Sequence, residues 1–250
     1  MTLPPPIWDA AGIVAAASAL AGFTQGLAGF GSTLVAMPVL VTLLPVREAA
    51  PLCCLLALTT NLVLVLGTRL RRCVQRRELA LLLVCSAPGA ALGAWVLASA
   101  PESALRALLG AGVLGMALLS FLKGRPRRAP GLGWAALAGL AAGSLGVAIG
   151  VNGPPVVAWS ARQGWGKDAL KATLFAYFLC AGAAIVAIQA YQGLATPRVL
   201  GLYGLGLPAL AAGFTTGHLC SGRLDEAVFR RVMLALLATT GAVLMVQGLG

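Results

Sequence analysis

Two short stretches of this chain carry the residue types that could recognise a small ligand. The first, AGFTQGLAGFGSTLVAMPVL at 21–40, sets Gln25, Gly29, Phe30, Gly31, Ser32 and Thr33 inside an apolar run. The second, GLAAGSLGVAIGVNGPPVVAW at 139–159, carries Ser144 and then Asn152, Gly153 and Pro154. Glycine weakens a helix and proline removes a donor, so each stretch predicts a break with a helix beginning after it. Asn152 is an N-cap ahead of Pro154 and Pro155, and Gly31-Ser32-Thr33 is a start of the same kind. A helix start offers unpaired backbone N–H groups and the positive end of the helix dipole. That is anion-recognising chemistry, worth about 0.3 to 1 kcal/mol per terminus when exposed and more when buried.

The elements that must position these residues are membrane helices. Of 250 residues, 59% are hydrophobic and 10% charged, far from the make-up of a soluble globular domain. All seven acids (Asp9, Glu48, Glu78, Glu102, Asp168, Asp225 and Glu226) fall between the apolar runs. In hydrocarbon every backbone polar group must pair internally, so runs this long and apolar should be helical. Plain spans are predicted over 49–68, 79–98, 103–122, 170–190, 198–217 and 227–248, with two longer ambiguous segments at 9–46 and 132–162. With no acid in a span, the site has no fixed negative charge, which points to an anionic or neutral ligand; a cation carrier would usually place a carboxylate there.

The chain repeats itself. A shift of 117 lays Gly22, Gly26, Gly29 and Pro38 over Gly139, Gly143, Gly146 and Pro155; a shift of 120 lays Arg47-Glu48-Ala49 over Lys167-Asp168-Ala169, and Pro88 over Pro208. If each ambiguous segment crossed once, giving eight spans, both faces would be positive. If each crosses twice, giving ten, one face collects Arg69, Arg71, Arg72, Arg76 and Arg77, then Lys123, Arg125, Arg127 and Arg128. Arg162, Lys167 and Lys171, and Arg223, Arg230 and Arg231, fall on the same face. Only Arg47, Arg106 and Arg198 fall opposite. By the positive-inside rule the crowded face is cytoplasmic and both termini lie outside. An odd number of crossings per half makes the repeats inverted, an arrangement typical of alternating-access carriers.

The expected fold is therefore an all-α polytopic membrane protein of two inverted-topology repeats, 7–122 and 131–249, joined by a basic cytoplasmic linker at 123–130. Each repeat opens with a broken Gly/Pro-rich segment followed by three full transmembrane helices, eight to ten membrane segments in all. The N-terminus has no basic region before its first apolar run, so the first helix is expected to stay in the mature protein. The net charge of +11 sits in short loops without interleaved aromatics, which orients the protein in the bilayer and does not point to nucleic acid.

Other residues have plainer readings. Gly22, Gly26, Gly139 and Gly143 have the small-xxx-small spacing of close helix packing. Thr59, Thr60, Asn61, Thr173 and Tyr177 read as interhelical hydrogen-bonding groups, though they could face the same cavity. The six cysteines lack CxxC spacing and read as small buried side chains, not metal ligands. His218, the lone histidine, reads as a surface residue near a loop. No Walker A motif is present, no cofactor or metal is expected, and a nucleophile with a positioned base is missing, which argues against an enzyme.

The motifs GFTQGLAGFGSTLVAMPVL, GSLGVAIGVNGPPVV and WGKDALKATLFAYF, in this order and with the two-repeat layout, resemble the sulfite exporter TauE/SafE family of membrane permeases. The resemblance covers nearly the whole chain. It implies transport of small, often sulfur-containing anions such as sulfite, sulfoacetate or other organosulfonates across the bacterial inner membrane, through about eight spans. By motif position it carries a site onto Gly29, Phe30, Gly31, Ser32, Asn152, Gly153 and Pro154. The expected function is a secondary transporter of a small anion held between the two breaks. An anion channel is the alternative, with a membrane enzyme a more distant one. The expected partners are the anion and the lipid bilayer, and a homodimer is left open.

Overall fold

The computed structural model describes residues 7–67, 73–121 and 131–221. The expected linker at 123–130 and span at 227–248 lie outside the described residues, as do most of the basic loop residues. Nine helices are described: α1 (Ile7–Ala28), α2 (Ser32–Leu40), α3 (Val46–Gly67), α4 (Arg76–Ser99), α5 (Glu102–Phe121), α6 (Leu132–Ile149), α7 (Gly153–Ser160), α8 (Lys167–Tyr191) and α9 (Pro197–Cys220). Five of them, α1, α3, α4, α8 and α9, are long and apolar enough to cross a membrane. Large apolar side chains such as Leu66, Val84, Trp95 and Trp134 lie exposed, as lipid-facing side chains do.

The plain spans begin up to three residues earlier than their apolar runs suggest, because polar residues close the helix ends. The α3 start takes Arg47 and Glu48 into its first turn, where the Val46 N–H donates to Glu102 Oε1 at 2.7 Å. The Arg47 guanidinium in turn donates to the carbonyls of Leu97, Ala98 and Ala100 at 3.0 to 3.1 Å, satisfying the last turn of α4.

Two parallel helix pairs dominate the packing, α1 along α9 and α4 along α6. Ser18 lies against Gly206, Gly22 against Leu210, and Gly26 against Phe214 and His218, so α1 and α9 rise together. In the other pair Gly139 meets Leu82, Gly143 meets Ser86 and Gly93 meets Ser144. These contacts bring glycine against backbone carbonyls, where a Cβ would overlap the neighbouring chain, as the small-xxx-small spacing implies. Between the pairs α3 and α8 run antiparallel: Gly182 meets Leu58, Gly146 lies between Cys54 and Ile185, and Phe175 packs on Gly29 near the Gln25–Asn61 pair.

These directions give the bundle two distinct ends. One gathers the starts of α3 and α9 and the finish of α4, with Glu48 paired to Arg198 at 3.0 Å and Glu102 to Arg106 at 3.2 Å. The other gathers the starts of α4 and α8, where the Gln75 N–H donates to Thr173 Oγ1 at 3.0 Å, and carries Arg76, Arg77, Lys167 and Lys171. Since α1 leaves the first end and α3 starts there again, α2 must bring the chain back. By the same logic α7 brings it back to the second end. The returning pieces are nine and eight residues long, about 13 and 12 Å, against a hydrocarbon core of about 30 Å. Each ambiguous segment is thus one long helix plus a half-length return, and not two full crossings.

Candidate functional site

The two breaks are built differently. At the first, α1 ends at Ala28 and the chain turns through Gly29 (φ 81°) and Gly31 (φ 94°), left-handed positions that favour glycine. Gln25, one turn upstream, bridges this turn with its carboxamide. Its Nε2 donates to Asn61 Oδ1 at 2.8 Å and more weakly to the Gly29 carbonyl at 3.4 Å, and its Oε1 accepts from the Ser32 N–H at 3.3 Å. The first donor of α2 therefore already has an acceptor.

At the second break α6 closes with a left-handed Gly150 (φ 71°). The Gly150 N–H donates to the Gly146 carbonyl at 3.0 Å and the Val151 N–H to Leu145 at 3.3 Å, the paired bonds of a glycine-terminated helix. Asn152 occupies the cap position of α7, but its side chain makes no capping bond. Pro154 and Pro155 have no N–H, so the α7 start has fewer backbone donors than two helix ends of the same kind would suggest. The breaks also differ in depth. Gly150 packs on Ala50 and Gln25 bonds to Asn61, eleven residues or roughly 16 Å apart along α3.

Between the breaks is a cavity lined by Gln25, Phe30, Gly31, Ser32, Thr33, Leu34, Ala57, Asn61, Asn152, Gly153, Val157 and Phe178. Its volume is about 20 Å³, room for little more than one water. Among the described residues no charged side chain lines it. Ser32 and Thr33 are only 4% and 9% exposed and neither hydroxyl has a hydrogen-bond partner among the described residues, yet their oxygens are not sealed off as Ser18 Oγ is, because they open onto the cavity. Several hydroxyls elsewhere in the bundle bond back to a carbonyl one turn earlier, Thr24 to Leu20, Thr59 to Leu55, Ser86 to Leu82 and Thr173 to Ala169, whereas Ser18 Oγ in α1 is buried without a partner. Ser32 and Thr33 open their helix, so no earlier turn of α2 exists to receive them.

Seven of the ten site residues expected from the sequence thus line one cavity: Gln25, Phe30, Gly31, Ser32, Thr33, Asn152 and Gly153. Gly29 packs on Phe175 just outside the lining, and Pro154 is buried beside it in α7. Ser144 is not brought there. Its hydroxyl donates to the Leu140 carbonyl at 2.8 Å and its backbone packs on Gly93 of α4, because it lies on the face of α6 turned to that helix. Asn61, expected as an interhelical bonding group, is that and a lining residue too. Leu34, Ala57, Val157 and Phe178 carry no sequence signal that separates them from the surrounding core.

The other polar expectations resolve as packing. Thr59 Oγ1 and the Tyr203 hydroxyl share a bond of 2.7 Å, and Ser86 and Tyr177 one of 2.8 Å. His218 stacks on Phe214 with ring centroids 6.4 Å apart and lies outside the lining. Of the cysteines only Cys53 and Cys54 are buried; Cys73 and Cys180 are exposed. Chemically the cavity offers two hydroxyls, three carboxamides and the positive end of α2, a set suited to holding an acceptor-rich group.

The family model described as Sulfite exporter TauE/SafE matches residues 14–244. No curated protein and no solved structure matches the chain.

Proposed function

The chain belongs to the sulfite exporter TauE/SafE family, and from that premise we propose that it is a secondary transporter that carries a small sulfur-containing anion through the cavity between the two breaks. Membership makes it a multi-pass membrane protein of a family of sulfur-anion transporters. The observation that carries the assignment of the site is the pair of unpartnered hydroxyls, Ser32 and Thr33, at the head of α2 in a cavity that no charged side chain among the described residues lines. An anion accepting from both hydroxyls and from the α2 terminus would gain charge-assisted bonds, each roughly twice as strong as a neutral one. Asn61 and Asn152 complete the proposed site, with Gln25 yielding the Ser32 N–H as the anion arrives.

The helix plan supports alternating access. The starts of α2 and α7, of α3 and α8, and of α4 and α9 are each separated by 121 residues, a single offset one turn longer than the 117 that aligns the glycines. Helix α1 of one half pairs with α9 of the other, and α6 with α4, while α3 and α8 oppose each other. This supports two inverted repeats exchanged across a pseudo-two-fold axis in the membrane plane, whose rocking would open the cavity to each side in turn. A volume near 20 Å³ is too small for a hydrated anion, which favours a carrier that must rearrange over an open channel. The end bearing Arg76, Arg77, Lys167 and Lys171 is assigned to the cytoplasm of a bacterial inner membrane, both termini then facing outward.

The test is sulfite or methanesulfonate uptake by liposomes containing the purified protein. Wild-type flux should saturate, and a Ser32→Ala, Thr33→Val double variant should reduce the apparent affinity by roughly 10-fold or more, as expected for two lost bonds to a charged group at about 1.5 to 3 kcal/mol each. Unchanged affinity in a folded double variant moves the site elsewhere.

A further inference from the structure

We infer, resting on the transport reading above, that the cavity takes a singly charged anion with a short apolar tail and orients it, head on α2 and tail against α7. The basis is a chemical asymmetry between the two halves. At the 121-residue offset set by the helix starts, Gln25, Ser32, Thr33 and Asn61 correspond to Gly146, Gly153, Pro154 and Gly182. Every side-chain donor of the first half is thus matched in the second by a residue without one, and Asn152, opposite Gly31, is the single polar side chain that the second half adds to the lining. The backbone repeats the difference, since two of the first three residues of α7 are prolines.

The charge therefore has one favourable seat and not two. It lies at Ser32 and Thr33, whose hydroxyls open onto the cavity and lack partners among the described residues. The opposite wall is Gly153, Val157 and Phe178, which can cover methylene groups but cannot solvate an oxyanion. A Cβ built on Gly153 meets only Phe178 Cζ, at 3.9 Å, so the backbone there leaves room beside an aromatic ring. Among the described residues no cation lines the cavity, and that sets the valence. The cost of desolvating an ion grows with the square of its charge, so a dianion would need roughly four times the compensation of a monoanion from the same neutral donors.

Three probes and two variants test this on the full-length protein in lipid nanodiscs, with affinity read by calorimetry. Methanesulfonate and propane-1-sulfonate carry one charge, the second with a longer tail; sulfate has nearly the size of methanesulfonate but two charges. Both sulfonates should bind, and sulfate at least 10-fold more weakly than methanesulfonate. Gly153→Leu should weaken propane-1-sulfonate by 10-fold or more while leaving methanesulfonate within about 3-fold; Gly153→Ala, which fits the space without strain, should do the same to a smaller degree. Sulfate binding as tightly as methanesulfonate, or equal weakening of both sulfonates in the Gly153 variants, overturns the oriented-monoanion reading while leaving anion transport standing. Binding of none of the three, nor of sulfite, overturns both.

Discussion

Replacing Gln25 by glutamate puts a charge where the transported anion is proposed to sit. In the wild type the Gln25 carboxamide accepts from the Ser32 N–H at 3.3 Å and holds Asn61 Oδ1 at 2.8 Å. Gln25→Glu keeps the shape and the acceptor but brings a carboxylate to the head of α2. Two unit charges about 4 Å apart interact by about 4 kcal/mol at an effective dielectric of 20. At 1.4 kcal/mol per decade, methanesulfonate affinity should fall by roughly 10² to 10³. Lowering the pH should restore it as the introduced carboxyl protonates and the repulsion disappears. Gln25→Met is the neutral control: it loses the bond to Asn61, about 1 kcal/mol of stability, but frees the Ser32 N–H, so affinity should stay within about 10-fold. The assay is calorimetric titration in nanodiscs, with thermal unfolding as the check on folding. A folded Gln25→Glu protein that binds methanesulfonate within 3-fold of wild type at neutral pH would refute the placement of the anion at the α2 terminus.

Two further outcomes follow from the packing and the orientation. On α9, Gly213→Ala sets a methyl against the Ala19 carbonyl of α1 and should destabilise the bundle by about 1 to 3 kcal/mol, whereas Gly204→Ala, with nothing within 4 Å, should stabilise by up to about 1 kcal/mol; melting in detergent reads both signs. Cys73 is exposed at the basic end, so as the sole cysteine it should react with an impermeant maleimide from the cytoplasmic side only, and labelling from outside would reverse the orientation.

Much of this was legible in the chain because it depends on local composition. Apolar runs without acids require helices in hydrocarbon wherever they occur, and Gly29, Gly31 and Gly150 mark turns because left-handed backbone favours glycine. The same marks led toward the cavity, since Gln25, Ser32, Thr33, Asn152 and Gly153 flank those turns. Alignment by glycine identity gives an offset of 117, whereas the starts of α2 and α7, of α3 and α8, and of α4 and α9 are 121 apart; glycines recur at helical spacing for packing, so Gly22 and Gly26 match several partners equally well.

What composition could determine was that the breaks exist and that the chain around them is helical. How far each returning helix travels, which donors at its head are already occupied, and which face of α6 Ser144 points to were decided by tertiary packing. So was the inclusion of Asn61, thirty-six residues from its partner Gln25. The physical reason is reach. A turn is set by the conformational freedom of two or three neighbouring residues, but whether a hydroxyl stays unpaired depends on every chain that passes it. In Ser32 and Thr33 that result is a helix start with no earlier turn to bond to, facing a cavity whose walls come from α1, α3, α7 and α8.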